Sequence, residues 1–203
     1  MRGICMSINR TELSILIKAA GQIAWAGVFL FLDFNITDGG FTVKLLPEWT
    51  GWLLYSYAVI NLAYIVSEAA LLKPLTQILF GIELVRWILS FTGFSLQNST
   101  LYVFETVIAI YAHFQLFSNA ETAARKYHLA CADSILIIRT ILVILTTVIH
   151  LINLFSRMHM EMTWLNIVLI GMDLTAALGI VIIMFEFVSQ LKKYRQTQYS
   201  KPE

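Results

Sequence analysis

Hydrophobic and polar positions alternate along this chain on two scales. On the coarse scale, six apolar stretches, 13–34, 50–72, 75–94, 100–119, 131–155 and 163–190, are divided by short polar breaks. Each is close to or longer than the roughly 20 residues a helix needs to cross a bilayer. The pattern predicts an all-α polytopic membrane protein, a six-transmembrane-helix bundle built as one integral domain. The last two stretches exceed the crossing length, which implies tilt or emergence from the bilayer. Pro74 falls where the second stretch gives way to the third, a place where its missing N–H costs nothing.

On the fine scale, polar side chains interrupt the apolar runs in helical phase. Tyr57, Asn61, Tyr64 and Glu68 in the second stretch are spaced four, three and four residues apart, which puts them on one helical face. Lys18, Gln22 and Trp25 do the same in the first stretch, as do Arg139, Thr146, His150 and Asn153 in the fifth. Such stripes are expected to turn toward neighbouring helices and form a polar seam, because lipid offers polar groups no partner.

Composition agrees with the coarse pattern. Hydrophobic residues make up 58% of the chain and charged residues 13%, about half the share of a soluble domain; mean hydropathy is +0.73. A formal net charge of +1, with no basic patch carrying interleaved aromatics, argues against nucleic acid as a partner. Charge also orients the bundle. With both termini cytoplasmic, the inner segments hold Arg2, Arg10, Lys73, Arg125, Lys126, Lys192, Lys193, Arg195 and Lys201, against Lys44 and Arg157 outside. That bias satisfies the positive-inside rule. Trp49, Trp52 and Trp164 then fall at outer helix ends as interfacial anchors, and Cys5 and Cys131 fall on the cytoplasmic side as free thiols.

Ionisable groups inside the apolar runs are the candidate chemistry, since a charge at bilayer depth needs a partner, a cavity or a solvent path. Glu83 and Arg86 sit at i and i+3 near the middle of the third stretch and can pair. Arg139 has no acid at i±3 or i±4, so its partner must come from another helix or from a ligand; Glu83 is placed to bridge both arginines. Nearer the outside, Glu105, His150 and Asp173 lie at matching depths, with His113 deeper on the fourth helix. Asn61 and Tyr64 line the second helix stripe. No metal motif occurs, neither His-x-x-His nor Glu-x-x-His, and no dinucleotide loop, phosphate-binding run or nucleophile motif points to a cofactor or a reaction. At depth Glu83, Glu105 and Asp173 face Arg86 and Arg139, a balance that fits a small zwitterionic or cationic solute, with proton coupling through one of the acids as a further expectation.

The segment Phe34–Leu54, with Leu45-Leu46-Pro47-Glu48-Trp49-Thr50-Gly51-Trp52-Leu53-Leu54 at its end, resembles a turn-plus-helix motif of small multi-pass membrane proteins of low-GC Gram-positive bacteria. The resemblance implies a bacterial plasma membrane and no particular activity. Within it, Asp38-Gly39 is a turn signal, and the loop is expected to serve as a plain connector, with a lid as the alternative. Size, helix number and cytoplasmic ends are also similar to the substrate-binding subunits of energy-coupling-factor vitamin transporters. That likeness implies a partner subunit docked on small-xxx-small surfaces, for which Ala20 and Ala24 are the matching pair.

The expected function is membrane transport or solute binding, with Glu83, Arg86 and Arg139 as central recognition groups and Glu105, His150 and Asp173 as outer ones. The alternatives are an intramembrane enzyme using His113, His150 or the carboxylates as acid and base, and a partner, immunity or sensor protein whose polar residues join helices. The partners implied are the lipid bilayer, a small-molecule solute, and a second copy of the chain or a membrane subunit.

Overall fold

A computed structural model describes residues 10–31, 35–38, 41–44, 47–92, 99–156 and 163–199. Arg2, Cys5, Arg157, Lys201 and the side chain of Asn153, all drawn into the expectations above, lie outside what is described. Six helices follow in order: α1 Arg10–Phe31, α2 Glu48–Ala63, α3 Lys73–Ser90, α4 Ser99–Lys126, α5 Ala132–Ser156 and α6 Thr163–Tyr199. Of these, α1, α4, α5 and α6 are long and apolar enough to cross a membrane. The chain is therefore an all-α polytopic membrane protein with several spanning helices. At 1.5 Å per residue, α2 and α3 reach only about 24 and 27 Å, short of a bilayer core of about 30 Å.

The second apolar stretch is not one helix. It stops at Ala63, turns through Tyr64 and Ile65, extends at Val66 (φ −128°, ψ 103°) and resumes as a 3₁₀ segment, Ser67–Leu72. No glycine or proline causes the break. β-Branched Ile65 and Val66 tolerate extended backbone well, and the Ile65 and Val66 N–H groups both close on the Leu62 carbonyl at 2.9 Å. Lys73 and Pro74 then open α3, with Pro74 in the first turn as expected. At the other extreme, α4 and α6 run beyond their apolar stretches, to Lys126 and Tyr199. The loop before α2 holds a hairpin, β1 Asn35–Asp38 and β2 Phe41–Lys44, paired antiparallel with Asn35 opposite Lys44 and Asp38 opposite Phe41. The Asp-Gly turn signal thus marks a hairpin, and β2 approaches the backbone of α3.

Backbone neighbours run in the order α3, α2, α1, α6, α5, α4, and the ring closes where α4 meets α3 and the 3₁₀ segment. The α3–α4 seam is the thinnest of these contacts. The core is rich in alanine: Ala19, Ala20, Ala24 and Ala26 on α1, Ala58 on α2, Ala112, Ala120, Ala123 and Ala124 on α4, and Ala176 and Ala177 on α6 are all buried. Small side chains let helices approach closely, which is how membrane helices gain packing without a hydrophobic drive between them. Ala20 and Ala24 are fully buried inside this bundle, so the small-xxx-small pair expected to receive a partner subunit is consumed by internal packing.

The stripes on α1 and α2 turn toward a neighbouring helix only where Asn61 meets Gln22. Tyr57 and Tyr64 are exposed, as are Lys18, Trp25 and Glu68, while the buried face of α2 carries Trp52, Tyr55, Ser56, Ala58, Val59 and Leu62. Trp52 is buried in the core and Trp49 packs on Phe80 and Trp87, so both are packing residues instead of interfacial anchors. Trp164 is exposed at the start of α6, as an anchor would be. Cys131 is a buried free thiol between α4 and α5, and its backbone N–H donates to Gln190 Oε1 on α6 at 3.2 Å.

Two outcomes follow from this packing. A Cβ on Gly51 would lie 2.5 Å from Leu30 Cγ and 3.1 Å from the Ala26 carbonyl, whereas one on Gly171 meets nothing within 4 Å. Gly51→Ala is expected to lower unfolding free energy by about 1–3 kcal/mol and Gly171→Ala to leave it unchanged, as read by thermal unfolding in detergent. In a Cys5→Ser background, Cys131 is expected to resist a maleimide in the folded protein and to react in step with unfolding; rapid alkylation of the native protein would place the thiol at an accessible surface.

Candidate functional site

A polar site forms at the end of the bundle where α2 and α4 begin and α3 and α5 finish. Glu83 and Arg86, three residues apart, share one face of α3, and Glu105 faces them from α4 across the thin seam. Arg86 Nη1 lies 2.5 Å from Glu83 Oε1 and 3.0 Å from Glu105 Oε1, and Arg86 Nη2 lies 2.5 Å from Glu105 Oε2. The guanidinium therefore forks onto both oxygens of Glu105 and keeps one bond for Glu83, the geometry in which arginine binds carboxylate most strongly. Both carboxylates are buried, while the arginine side chain is 37% exposed. Two acids meet one base, so with all three ionised the cluster carries one surplus negative charge.

These groups border a cavity of about 220 Å³. Glu48 and Trp52 of α2 and Leu79 of α3 line it on one side; Tyr102, Thr106 and His113 of α4 line another; and Thr146 and His150 of α5 complete the wall. His113 stands in an aromatic enclosure, its ring centroid 5.1 Å from Trp52, 5.3 Å from Phe31, 5.6 Å from Tyr55 and 6.2 Å from Phe117. One ring nitrogen bonds the Ala109 carbonyl a turn earlier on its own helix. The other, Nε2, is shut off from solvent and has no protein partner. A buried polar atom left without a partner costs on the order of 1–3 kcal/mol, and this one sits inside the aromatic enclosure. His150 Nδ1 donates to the Thr146 carbonyl at 2.7 Å, and its ring stacks on Tyr102 at 5.8 Å.

The expected groupings are thus redrawn. Glu83, Arg86, Glu105, His113 and His150 converge on one cavity. Asp173 stands behind it, accepting a hydrogen bond from Thr146 Oγ1 at 3.3 Å. Arg139 does not join Glu83 and Arg86. It lies toward the opposite end of α5, where Nη1 donates to Ser118 Oγ at 2.8 Å and Glu121 Oε2 at 3.0 Å, and its guanidinium covers the Phe114 ring at 4.8 Å. Glu121 also accepts from Arg125 Nε at 2.8 Å, and Arg125 reaches Asp133 at 2.8 Å. The reason is the length of α4: it continues past residue 119 for two more turns and brings Glu121 alongside Arg139. Asn61 and Tyr64 are also away from the cavity. Asn61 Nδ2 donates to Gln22 Oε1 at 2.8 Å, tying α2 to α1, and Tyr64 is 74% exposed.

Sequence reasoning missed Glu48, Trp52 and Tyr102 as cavity residues and Glu121 as the Arg139 partner. The spacing Ser118, Glu121, Arg125 carried a signal for the last, since it keeps one face of a helix that simply continues. Among the described residues, no three His, Cys, Asp or Glu side chains converge as a metal site would require. The chain matches no family model, and no curated protein or solved structure matches it.

The Arg139–Glu121 pair is mostly buried, with side chains 11% and 14% exposed. Removing one partner strands a charge, so Arg139→Met or Glu121→Gln is expected to cost on the order of 3 kcal/mol. The double variant is expected to cost clearly less than the sum. A double-mutant cycle on unfolding in detergent measures this, and strict additivity would show that the two groups do not interact.

Proposed function

We propose that this protein binds a small cationic or zwitterionic solute in the Glu83–Arg86–Glu105 cavity, as a membrane transport or solute-binding protein. In this reading all six helices sit in the bilayer with both termini cytoplasmic, and the cavity lies toward the outer face. The distribution of Lys and Arg supports the orientation. The resemblance of Phe34–Leu54 supports a bacterial plasma membrane.

The observation that carries the reading is the imbalance at the cavity wall: two buried carboxylates share one arginine beside an unpartnered histidine nitrogen. One added positive charge would neutralise the cluster. Trp52 and Tyr102 line the cavity and are the ring types against which an organic cation rests well. The volume matches a small solute, being equal to the liquid share of roughly seven waters and below the range of drug-sized pockets. A purely structural role for the ion pairs would be served better by a filled, dry interface than by a cavity bordered by charge.

The same His113 nitrogen also suits a general base, which keeps the intramembrane-enzyme reading alive. Ligand binding without turnover separates the two. Purified protein in nanodiscs is expected to gain thermal stability with ethylammonium, choline or guanidinium, and none with acetate. At a hundred times Kd the gain would be about 2.7 kcal/mol. Glu105→Gln is expected to weaken that binding at least tenfold, and Arg139→Met is expected to preserve the ligand-dependent gain. Cation-dependent stabilisation that survives Glu105→Gln undiminished would remove this cavity as the binding site.

A further inference from the structure

We infer that the cavity is reached sideways from the bilayer, between α3 and α4, by an amphiphile with a positively charged amine head and a hydrocarbon tail. The inference rests on the reading of the cavity as a cation site and adds the class of ligand and its path.

An apolar groove of about 440 Å³ runs along the outer face of α3, lined by Gln77, Ile78, Gly81, Ile82, Val85 and Arg86, with Leu101 of α4 opposite. From Gln77 to Arg86 it extends about 14 Å along the helix axis at 1.5 Å per residue. Ile78 and Val85 are exposed, so with α3 in the bilayer, as proposed above, the groove faces hydrocarbon. Arg86 belongs to both the groove and the polar cavity. Its side chain passes from the outer face to the two buried carboxylates, which makes it the partition between an apolar channel outside and an acidic chamber inside.

The seam around it is built to part. Backbone contact between α3 and α4 is sparse, and the Arg86–Glu105 fork bridges the two helices. A side-chain fork can open and close without unpacking a core, unlike the alanine contacts that join α1 to α2 and α6. The charges select the head. With Glu83 and Glu105 both ionised, a cation entering beside Arg86 balances the surplus carboxylate of the pair, whereas an anionic head that passes Arg86 would meet two acids. The tail needs no water-filled route, because the groove continues the lipid phase up to the cavity wall.

Ethylammonium, dodecylammonium and uncharged dodecanol, titrated against the protein in nanodiscs of zwitterionic lipid, test this. Dodecylammonium is expected to bind at least tenfold more tightly than ethylammonium after correction for lipid partitioning, and dodecanol is expected not to compete with either. A Cβ on Gly81 meets nothing within 4 Å, so Gly81→Phe fills the groove without crowding the fold. It is expected to weaken dodecylammonium at least tenfold and to leave ethylammonium unchanged. Equal dodecylammonium affinity in wild type and Gly81→Phe overturns the lateral route, while ethylammonium binding, if retained, leaves the cavity reading standing. Absence of binding by both ammonium ions overturns both.

A measurement on the unaltered protein covers the case in which that variant fails to fold. A dodecylammonium carrying a photoreactive diazirine at its tail end is expected to label Ile78, Val85 or Leu101. Labelling confined to the outer faces of α5 and α6, around Ile144 and Ile182, overturns the inference.

Discussion

A guanidinium set between two carboxylates across the seam of α3 and α4 is the interaction on which the architecture of this site depends. Charged groups at bilayer depth are tolerated only when paired or wetted, and Arg86 satisfies that demand by joining helices whose backbones barely touch. Where α1 meets α2 and α6 through alanine and glycine, α3 and α4 meet through this fork. The cavity is a consequence. Long charged side chains hold the two helices apart, and the space behind them is not filled by the small residues that close the rest of the core.

The close packing elsewhere makes such a loose seam affordable. Gly27 lies so near α6 that a Cβ would fall 3.0 Å from Val181, and Gly179 is equally near Ile138 of α5. An added Cβ at either position would require the Val181 or Ile138 side chain to give way by a few tenths of an ångström. The Lys126–Glu12 ion pair ties the far end of α4 to the start of α1, and Thr76 beside Ser56 at 3.0 Å links α3 to α2. Both α3 and α4 are thus fastened away from the cavity, and beside it α3 is held by Trp87 packed on Trp49 of α2.

Much of this was legible in the chain, and the limits have physical causes. Glu83 and Arg86 were readable as a pair because i and i+3 spacing is local. Glu105 and His150 were readable as neighbours because antiparallel helices of known length match depths. Arg139 was misplaced because its partner lay beyond the expected end of the fourth span: hydropathy reports where lipid stops, and α4 continues into water. The polar stripe of Tyr57, Asn61, Tyr64 and Glu68 misled for another reason. Phase tells which residues share a face, but the direction of that face depends on which opposite face packs better, and Trp52, Tyr55 and Leu62 won the interior. Ala20 and Ala24 likewise signalled close approach without saying to what.

The contrast between the two arginine clusters argues which of them is a site. Around Arg139 the acid Glu121 is divided between two arginines, Ser118 accepts one of the guanidinium bonds, and the Phe114 ring covers the charge. Acids and bases there close on one another, so a ligand would have to break several charge-assisted bonds to enter and would find little space. Around Arg86 the geometry is of the other kind. Two buried acids share one base, His113 lines the same space with its Nε2 buried and unpartnered, and the arginine itself reaches the outer surface. Desolvating charge is expensive wherever it is done; around Arg139 the guanidinium Nε is also buried without a partner, but there each carboxylate is matched by an arginine, whereas at Arg86 two acids share one base. A cation arriving there supplies a missing term, whereas one arriving at Arg139 would only compete with terms already present.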